Sequence, residues 1–339
     1  MKGFTMVRAF RRLGLALALF IALIAIPVQA AQSRVLVMLG MPQGASQSFA
    51  TAINDRGQIV GYATMANGET HAILWDKQDI YDLGTLGGTI SQAQAVNNRG
   101  QIVGTSLTSS GISHAFLWEH GTMYDLDPRA DLGSGAFGMN DRGQVVGFIA
   151  TADGAGHAAL WDQGRVLDLG APAPDGNSSA LDINDAGMII GGAYFPSEDH
   201  NLAVFWRDGV LTPFPLLAGH EESIAYSVNN RGQVAGALGS FPSQAVVWHA
   251  GAVTSLADEL SQAKAINDRG EVAGLWRATP SSPVILSVWD QHGKRSELPV
   301  PFAGAGDIQG MNNKGQVVGW ALLEDGVSHA VVWSRAEGN

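Results

Sequence analysis

Two acidic segments that contain histidine are the parts of this sequence best suited to acid–base or metal chemistry. They are Ser197-Glu-Asp-His200 and His220-Glu-Glu-Ser223. If the fold brings them together, imidazole and carboxylate groups would surround one point, where they could bind a metal or transfer protons. The side chains concerned are His200, His220, Glu198, Asp199, Glu221 and Glu222. Ordinary solvated loops are the alternative interpretation, because charged loops are common on protein surfaces. We therefore assign no catalytic residue and no metal site.

Aromatic side chains form a second group of candidates. A glycine recurs along the chain, and in three places the residue directly after it is aromatic: Tyr62, Phe148 or Trp320. In a fourth place the aromatic residue is Trp276, two positions after the glycine, and Arg277 follows it. Such rings would offer stacking surfaces to a sugar or a peptide if they reach the rim of the fold. Packing within the core is the alternative, since buried aromatic rings dominate core energetics.

Several kinds of chemistry are excluded or find no support. The chain has no cysteine, which excludes a disulfide framework, a cysteine zinc site and a cysteine nucleophile. No Gly-x-Ser-x-Gly elbow, His-Glu-x-x-His pair, phosphate loop or dinucleotide fingerprint occurs in the sequence. We expect no cofactor.

The first thirty residues have the features of an export signal. Four basic residues, the last of them Arg12, precede an uncharged run from Leu13 to Val28, and Val28-Gln-Ala30 provides a cleavage motif. A retained membrane anchor is disfavoured, because this run is shorter than the roughly 20 residues that span a bilayer. Residues 1–30 are therefore predicted to be a cleaved signal peptide, and the protein is predicted to be secreted, either extracellular or periplasmic.

The composition of the remaining chain, residues 31–339, indicates a packed β protein. The whole chain has 43 glycines, 46% hydrophobic residues and only 15% charged residues, which is typical of short strands joined by tight turns. Removal of the signal peptide would leave 16 basic and 31 acidic residues, a net charge of −15. Such a charge disfavours nucleic acid and anionic membranes as partners.

One unit is repeated seven times along this domain. In each repeat an apolar residue is followed by Asn, then by Asp or Asn, then by any residue, and then by Gly. The first asparagines of successive repeats lie 43, 43, 44, 45, 38 and 45 residues apart. These asparagines are Asn54, Asn97, Asn140, Asn184, Asn229, Asn267 and Asn312. A second glycine follows each asparagine by seven residues, and a tryptophan ends each repeat. The tryptophans are Trp75, Trp118, Trp161, Trp206, Trp248, Trp289 and Trp333.

The repeat length predicts a four-stranded blade. Units of about 40–45 residues are typical of β-propellers, and Asn and Gly allow the positive φ of a tight hairpin turn. Small residues four and two positions before the asparagine, such as Ala93 and Ala95, indicate that the first strand lies in a crowded centre. The seventh repeat lacks a fourth strand, while Val35-Leu-Val-Met-Leu39 precedes the first repeat. We therefore predict a seven-bladed β-propeller in which residues 34–39 complete the last blade; an open superhelical array is the alternative.

The recurring polar and aromatic residues have structural interpretations. The Asn-Asp turns offer too few acids for a calcium loop. The histidines at the start of the third strand, His71, His114, His157 and His329, are expected to hydrogen-bond backbone groups. The tryptophans that end the repeats are expected to pack within the blades.

The repeats resemble those of the HAF-repeat family of predicted extracellular bacterial proteins. The similarity rests on Gly111 to Trp118, which contains His-Ala-Phe-Leu-Trp, on Tyr81 to Gly88, and on the Asn-Asp turns, and it extends over residues 34–339. Repeats four to six lack the His-Ala pair. The resemblance implies export and a repeat architecture, and it implies no catalytic residue.

These observations predict a monomeric, exported binding scaffold for a carbohydrate or protein ligand. The candidate ligand-binding residues are Tyr62, Phe148, Trp276, Arg277, Trp320, His200, His220, Glu221 and Glu222. The competing interpretation is a hydrolase or lyase that acts on extracellular polysaccharide with the acidic and histidine-containing loops of the fourth repeat.

Overall fold

The computed structural model describes residues 34–127, 131–174, 176–239, 243–301 and 305–336. The predicted signal peptide, residues 1–30, lies outside these ranges, as do both ends of the predicted domain 31–339. Every regular element in the described residues is a β-strand, which confirms the predicted all-β class. Within the same ranges, no helix has the length and hydrophobicity needed to cross a bilayer.

The strands follow one another with short connections. In chain order they are β1 Arg34–Met38, β2 Ala45–Ile53, β3 Ile59–Met65, β4 Thr70–Asp76, β5 Asp79–Asp82, β6 Gly87–Val96, β7 Ile102–Thr108, β8 Ser113–Glu119, β9 Thr122–Asp125, β10 Ser134–Met139, β11 Val145–Ala150, β12 Gly156–Asp162, β13 Arg165–Gly170, β14 Ser178–Ile183, β15 Ile189–Phe195, β16 His200–Arg207, β17 Val210–Pro213, β18 Ser223–Val228, β19 Val234–Leu238, β20 Gln244–His249, β21 Ala252–Glu259, β22 Ser261–Ile266, β23 Val272–Trp276, β24 Ile285–Trp289, β25 Arg295–Glu297, β26 Gly306–Met311, β27 Val317–Leu322 and β28 Ser328–Arg335.

Among the described residues these strands form antiparallel, four-stranded units in six sheets. Five sheets have four strands, and the sixth has eight because a single parallel contact between Thr70 and Ile90 joins two units. In one sheet the order is β1-β28-β27-β26, so the first strand of the chain lies beside the last. The segment 34–39, predicted to pair with the last repeat, does so over Arg34–Met38, with Leu36 opposite Trp333.

The asparagine turns connect the first and second strands of each repeat. In the first repeat, Oδ1 of Asn54 accepts hydrogen bonds from the backbone N–H groups of Arg56 and Gln58, both at 3.0 Å. Gly57, the third residue after the asparagine, has a φ of 88°, a conformation that glycine adopts without steric cost. The predicted tight turn is confirmed.

A β-bulge in the first strand explains the second glycine of the repeat. In the second repeat the register shifts between Ala93 and Ala95, so Gln94 is the extra residue. A Cβ added to Gly104 would lie 2.0 Å from the carbonyl oxygen of Gln92, so this position must be glycine. The same shift occurs in all seven repeats.

The first strands lie together at the centre of the molecule. Each contacts the first strand of the next repeat, and β26 of the last repeat contacts β2 of the first. A Cβ on Gly138 would lie 2.8 Å from Cα of Asp182, and one on Gly310 would lie 3.2 Å from Cα of Ala52. The predicted crowding of small residues at the centre is confirmed.

The hydrophobic core lies between the faces of successive sheets. One cluster combines Ile53 and Trp75 of the first repeat with Val318 and Ala330 of the last. Six of the seven repeated tryptophans are at most 5% exposed, as predicted for packing residues. Trp118 is the exception, because its side chain is only half-buried.

Candidate functional site

The asparagine turns of all repeats meet around a central cavity of about 220 Å³. Nδ2 of each asparagine donates to the backbone oxygen of the asparagine in the next repeat, at 2.9–3.2 Å. Nδ2 of Asn312 in the last repeat donates to the oxygen of Asn54 in the first, at 3.0 Å. The last repeat is therefore hydrogen-bonded to the first in the same way as each repeat is to the next.

A second series of hydrogen bonds runs through the residues that follow the asparagines. The backbone N–H of each donates to Oδ1 of its counterpart in the next repeat, at 2.7–2.9 Å, and Asn313 donates to Asp55. The members are Asp55, Asn98, Asp141, Asp185, Asn230, Asp268 and Asn313. Their carboxylate and amide oxygens are thus used as structural acceptors, which fits the structural interpretation of these turns.

Asp182 is a further carboxylate beside this cavity. Burial raises its pKa above the ordinary value, although its two oxygens accept hydrogen bonds from the backbone N–H groups of Ile183 and Val228, at 2.8 and 2.9 Å. Among the described residues, no group of three or more His, Cys, Asp or Glu side chains has the geometry of a metal site. The hydrogen bonds of Asp182 link its own strand to β18 of the next repeat, through Val228.

Aromatic rings meet further along the first and second strands, away from the asparagine turns. Tyr62 on β3 stacks on Phe49 of the paired strand β2, with ring centroids 5.0 Å apart. Trp320, from the last repeat, lies edge-on to the same Phe49 at 5.9 Å. All three rings are half-buried, and burial raises the pKa of Tyr62. The two predicted residues Tyr62 and Trp320 are thus brought together through a phenylalanine.

Polar side chains continue this group into the neighbouring repeats. Asp307 is paired with Trp320 in the sheet, and its Oδ2 lies 4.0 Å from Nζ of Lys264. That Nζ also lies 4.8 Å from the ring centre of Tyr226. We name Phe49, Tyr62, Trp320, Asp307, Lys264 and Tyr226 the aromatic arc; it extends over the first, seventh, sixth and fifth repeats.

Two titratable groups of the aromatic arc, Asp307 and Tyr226, have pKa values shifted by burial. Burial raises the pKa of Asp307, and the charge of Lys264 works in the opposite direction. Burial, and then the charge of Asp307, raises the pKa of Tyr226. A carboxylate and an ammonium group are therefore held in a partly desolvated place beside aromatic faces, where their hydrogen bonds to a ligand are stronger than in water.

The other predicted aromatic residues lie apart from the arc. Phe148 stacks on Phe137 at 5.7 Å. The guanidinium of Arg295 lies 4.0 Å above the ring of Trp276. Arg277, predicted beside that ring, hydrogen-bonds the oxygen of Pro280 at 3.3 Å.

The two acidic segments with histidine meet at the side chains of His200 and Glu221. Nε2 of His200 lies 3.6 Å from Oε2 of Glu221. His220 instead approaches the side chain of Gln244, at 3.1 Å, and the backbone oxygen of Glu222 accepts from Gly239. The two imidazoles thus have different partners.

The prediction for the repeated histidines is wrong. Their Nδ1 atoms contact carboxylates on the fourth strand rather than backbone groups: His71 contacts Asp82 at 2.7 Å, His114 contacts Asp125 at 2.8 Å, and His157 contacts Asp168 at 3.0 Å. His329 approaches Asp325 through Nε2, at 2.9 Å. The constant spacing of eleven residues between His and Asp in three repeats is the sequence signal for this pair, since the two strands are adjacent.

Phe49, Asp307, Tyr226 and Lys264 were not predicted as site residues, although they occupy equivalent positions in their repeats. Phe49 and Asp307 lie five positions before their asparagines, and Tyr226 and Lys264 lie three positions before theirs, at the bulge. These two positions are two residues apart, so the alternation of side chains along a strand places them on one face. The sequence does not show that such residues meet between neighbouring repeats.

Comparisons with known proteins identify the fold class. The sequence matches no model of a known protein family, and it matches no curated protein. Solved structures are similar: oligogalacturonate lyase from Vibrio parahaemolyticus has a TM-score of 0.60 at 8% identity, with 89% of this chain and 97% of that chain covered. The β-propeller domain of Trilobed protease from Pyrococcus furiosus, reported with an open velcro topology, has a TM-score of 0.56 at 11% identity, with coverages of 85% and 95%.

TolB from Acinetobacter baumannii is a third similar structure, with a TM-score of 0.51 at 13% identity; the match covers 78% of this chain and 66% of that chain. At such identities the likeness concerns the fold alone. The chain has an all-β fold of the β-propeller kind.

Proposed function

We propose that this chain is an exported β-propeller of the HAF-repeat type, with seven blades in a closed ring. Three contacts between the first and last repeats support closure: the pairing of β1 with β28, the hydrogen bond from Asn312 to Asn54, and the contact of Phe49 with Trp320. In this proposal the eight-stranded sheet is two blades that touch at one bridge. The signal peptide 1–30 is removed, and residues 31–339 form a single secreted domain.

The function that we propose is the non-catalytic binding of carbohydrate on the aromatic arc. The observation that carries it is the continuity of the arc, in which Tyr62 and Trp320 supply ring faces and Asp307 supplies a carboxylate beside them. Carbohydrates present apolar C–H faces and hydroxyl edges, which fit aromatic rings and buried hydrogen-bonding groups respectively. The protein acts as a monomer and needs no cofactor.

Charge also favours a carbohydrate over nucleic acid. The predicted mature chain has a net charge of −15, and the arc itself contains one carboxylate and one ammonium group. A polyphosphate would be repelled by the whole molecule and would find a single cation at the arc. An uncharged polysaccharide meets no such barrier.

Binding of the protein, without its signal peptide, to an array of glycans tests the proposal. Trp320→Ala and Asp307→Asn are expected to weaken binding about tenfold, because each removes a ring face or a hydrogen-bond acceptor. The control is Tyr124→Ala, which removes an aromatic ring that is 52% exposed on β9, outside the arc. No glycan binding, or binding equal in all variants, would contradict the proposal; capture of a protein alone would favour a protein ligand.

The contact between His200 and Glu221 supports a second candidate, a hydrolase or lyase acting on extracellular polysaccharide. Histidine paired with a carboxylate can transfer protons. Incubation with polysaccharides, followed by chromatography of the products, would detect cleavage. An enzyme of this kind would lose activity in both His200→Ala and Glu221→Gln.

A further inference from the structure

A groove of about 250 Å³ lies between the first and second repeats, on the side of the asparagine turns. Tyr81 and Trp118 provide aromatic surface to it, and Arg56, Asp76, Arg99 and Glu119 provide charged groups. The groove contains no member of the aromatic arc. Its volume is slightly below the roughly 300–1,000 Å³ typical of sites for drug-sized ligands, so it suits one small molecule or one residue of a chain.

Trp118 distinguishes this groove from the equivalent place in other repeats. In the first, fourth, fifth and seventh repeats, the indole N–H of the tryptophan donates to a backbone oxygen, as Trp75 does to Gly40 at 2.8 Å. In the part of the chain that the structure describes, no such hydrogen bond is found from Trp118, Trp161 or Trp289, so what sets Trp118 apart is its exposure: the other six repeated tryptophans are at most 5% exposed. Its half-buried ring lines the groove, so part of its surface remains for a ligand.

The polar walls of the groove are held in place by side-chain hydrogen bonds. On one wall, Gln58 accepts from Arg56 at 2.8 Å and donates to Asp76 at 2.9 Å. On the other wall, Gln101 accepts from Arg99 at 2.7 Å and donates to Glu119 at 3.0 Å. These two Arg–Gln–acid triads are preorganised, which lowers the entropy that a ligand must remove on binding.

The charges of the walls indicate the class of ligand. Two guanidinium groups and two carboxylates line the groove, and so does His120, whose Nε2 lies 3.7 Å from Oε1 of Glu119. A phosphate or a uronate attracted by Arg56 or Arg99 would therefore also meet Asp76 and Glu119. A neutral polyhydroxy ring avoids this repulsion, since hydroxyls donate to carboxylates and accept from guanidinium groups. The aromatic surface of Trp118 and Tyr81 fits the apolar face of such a ring.

We propose that this groove is a binding site for a neutral monosaccharide or for one neutral sugar residue of a glycan. Tyr81 and Trp118 contact the ring face, and the two triads hydrogen-bond its hydroxyls. The site is separate from the aromatic arc, and it stands whether or not the arc binds carbohydrate.

The next pair of repeats provides a matched control. There, Arg99, Tyr124 and the triad of Arg142, Gln144 and Asp162 occupy the equivalent positions, but the tryptophan is Trp161, which is 5% exposed. Tyr124 is 52% exposed and Tyr81 is 46% exposed. Replacement of either tyrosine therefore removes a similar surface ring from the same strand position.

The test is saturation-transfer NMR with glucose, galactose, mannose and N-acetylglucosamine, and with glucuronate and inorganic phosphate as anionic probes. We expect at least one neutral sugar to bind at millimolar concentration, with affinity about tenfold weaker in Tyr81→Ala and in Trp118→Phe. Tyr124→Ala should bind as the unmodified protein does, and the loss in Tyr81→Ala should persist when it is combined with Trp320→Ala, which removes a ring of the aromatic arc. Near-ultraviolet circular dichroism would check that each variant is folded.

Four results would overturn this proposal. The first is the absence of binding by every neutral sugar, and the second is stronger binding of glucuronate or phosphate. The third is unchanged affinity in folded Tyr81→Ala. Loss of monosaccharide binding in Trp320→Ala alone would place the sugar at the arc, and would overturn the groove while supporting the arc.

Discussion

At the scale of single residues, the two repeated glycines have different physical causes. Gly57 and its counterparts adopt positive φ in the turn, with nothing within 4 Å of an added Cβ on Gly57 itself. Gly104 and its counterparts instead face a carbonyl oxygen that the bulge in the first strand brings close. Both glycines are visible in the sequence as repeated positions. The turn motif explains the first of them, whereas the bulge that requires the second is visible only in the structure.

An alanine of the third strand and a serine of the following repeat are replaced together in one place. In six places a backbone N–H of the third strand donates to a serine Oγ of the following repeat, as Ala115 does to Ser134 at 3.0 Å. In the sixth repeat Leu286 replaces the alanine, and Gly306 of the next repeat replaces the serine. A Cβ on Gly306 would lie 3.4 Å from Cδ1 of Leu286, so the larger residue occupies the space of the missing side chain.

The glycine of the bulge gives a prediction at this scale. Gly104→Ala would place Cβ 2.0 Å from the oxygen of Gln92, so the paired strands must separate. We expect the free energy of unfolding to fall by more than about 3 kcal/mol, measured by urea denaturation.

Gly111→Ala is the control for this change. Gly111 has a φ of 81° but open space around an added Cβ, so the cost should be about 1 kcal/mol. Equal losses in the two variants would mean that backbone conformation, not the close oxygen, requires glycine at position 104.

At the scale of elements, the sequence predicted most of the strands and their turns, because each repeat has the same punctuation. The pairing of β1 with the last repeat followed from one missing strand and one surplus segment. What the pattern could not show is which side chains meet between repeats. Asp307 and Lys264 are 43 positions apart, and only the packing of two first strands brings them within 4.0 Å.

The attachment of β1 depends on a buried carboxylate. Glu271 contacts Arg34 on β1, at 3.8 Å, and hydrogen-bonds Arg335 at the end of β28 and Arg269 in its own turn. Burial works against the charge of Glu271, but its hydrogen bonds to Arg269 and Asn267 and the charges of Arg269 and Arg335 outweigh this effect, so its pKa is held below the ordinary value.

This shift predicts a pH dependence of stability. Because the pKa of Glu271 is lower in the folded state, its contribution is complete above the unfolded value of about 4.3 and is lost as pH falls through the folded value. Glu271→Gln should lower the unfolding temperature at pH 7, and the difference from the unmodified protein should shrink as pH falls toward 3. Thermal denaturation followed by circular dichroism at each pH measures this.

Glu297→Gln controls for a general loss of charge. Glu297 pairs with Arg295 at 3.2 Å, but its side chain is 59% exposed. Its replacement should change the unfolding temperature little, because exposed ion pairs contribute about 0–1 kcal/mol. An effect of Glu271→Gln that is independent of pH would show that its charge does not hold β1.

At the scale of the whole molecule, the ring closure that we propose predicts that the contact between the first and last repeats stabilises the protein as much as the contact between any other two neighbouring repeats. Ser48 accepts from the backbone N–H of Ala330 across this contact, and Ser134 accepts from Ala115 between the second and third repeats, both at 3.0 Å. Both serines are 0% exposed.

Ser48→Ala and Ser134→Ala should therefore lower the free energy of unfolding by the same amount, about 1–3 kcal/mol, since each leaves a buried donor without its partner. Urea denaturation of the two variants measures the comparison. If Ser48→Ala were neutral while Ser134→Ala destabilised the protein, the repeats would form an open array in solution.

The partnership of β1 with β28 also has a consequence for biogenesis. Leu36 must pair with Trp333 across about 300 intervening residues. Because closing so long a loop costs conformational entropy, this pairing is favourable only after the repeats between the two residues have stacked on one another. The newly made chain therefore cannot complete this sheet until β28 has been synthesised and is free to pair with β1. Until that moment it presents unpaired strand edges at both extremities, which makes the interval before completion the time of greatest exposure to proteases and to aggregation.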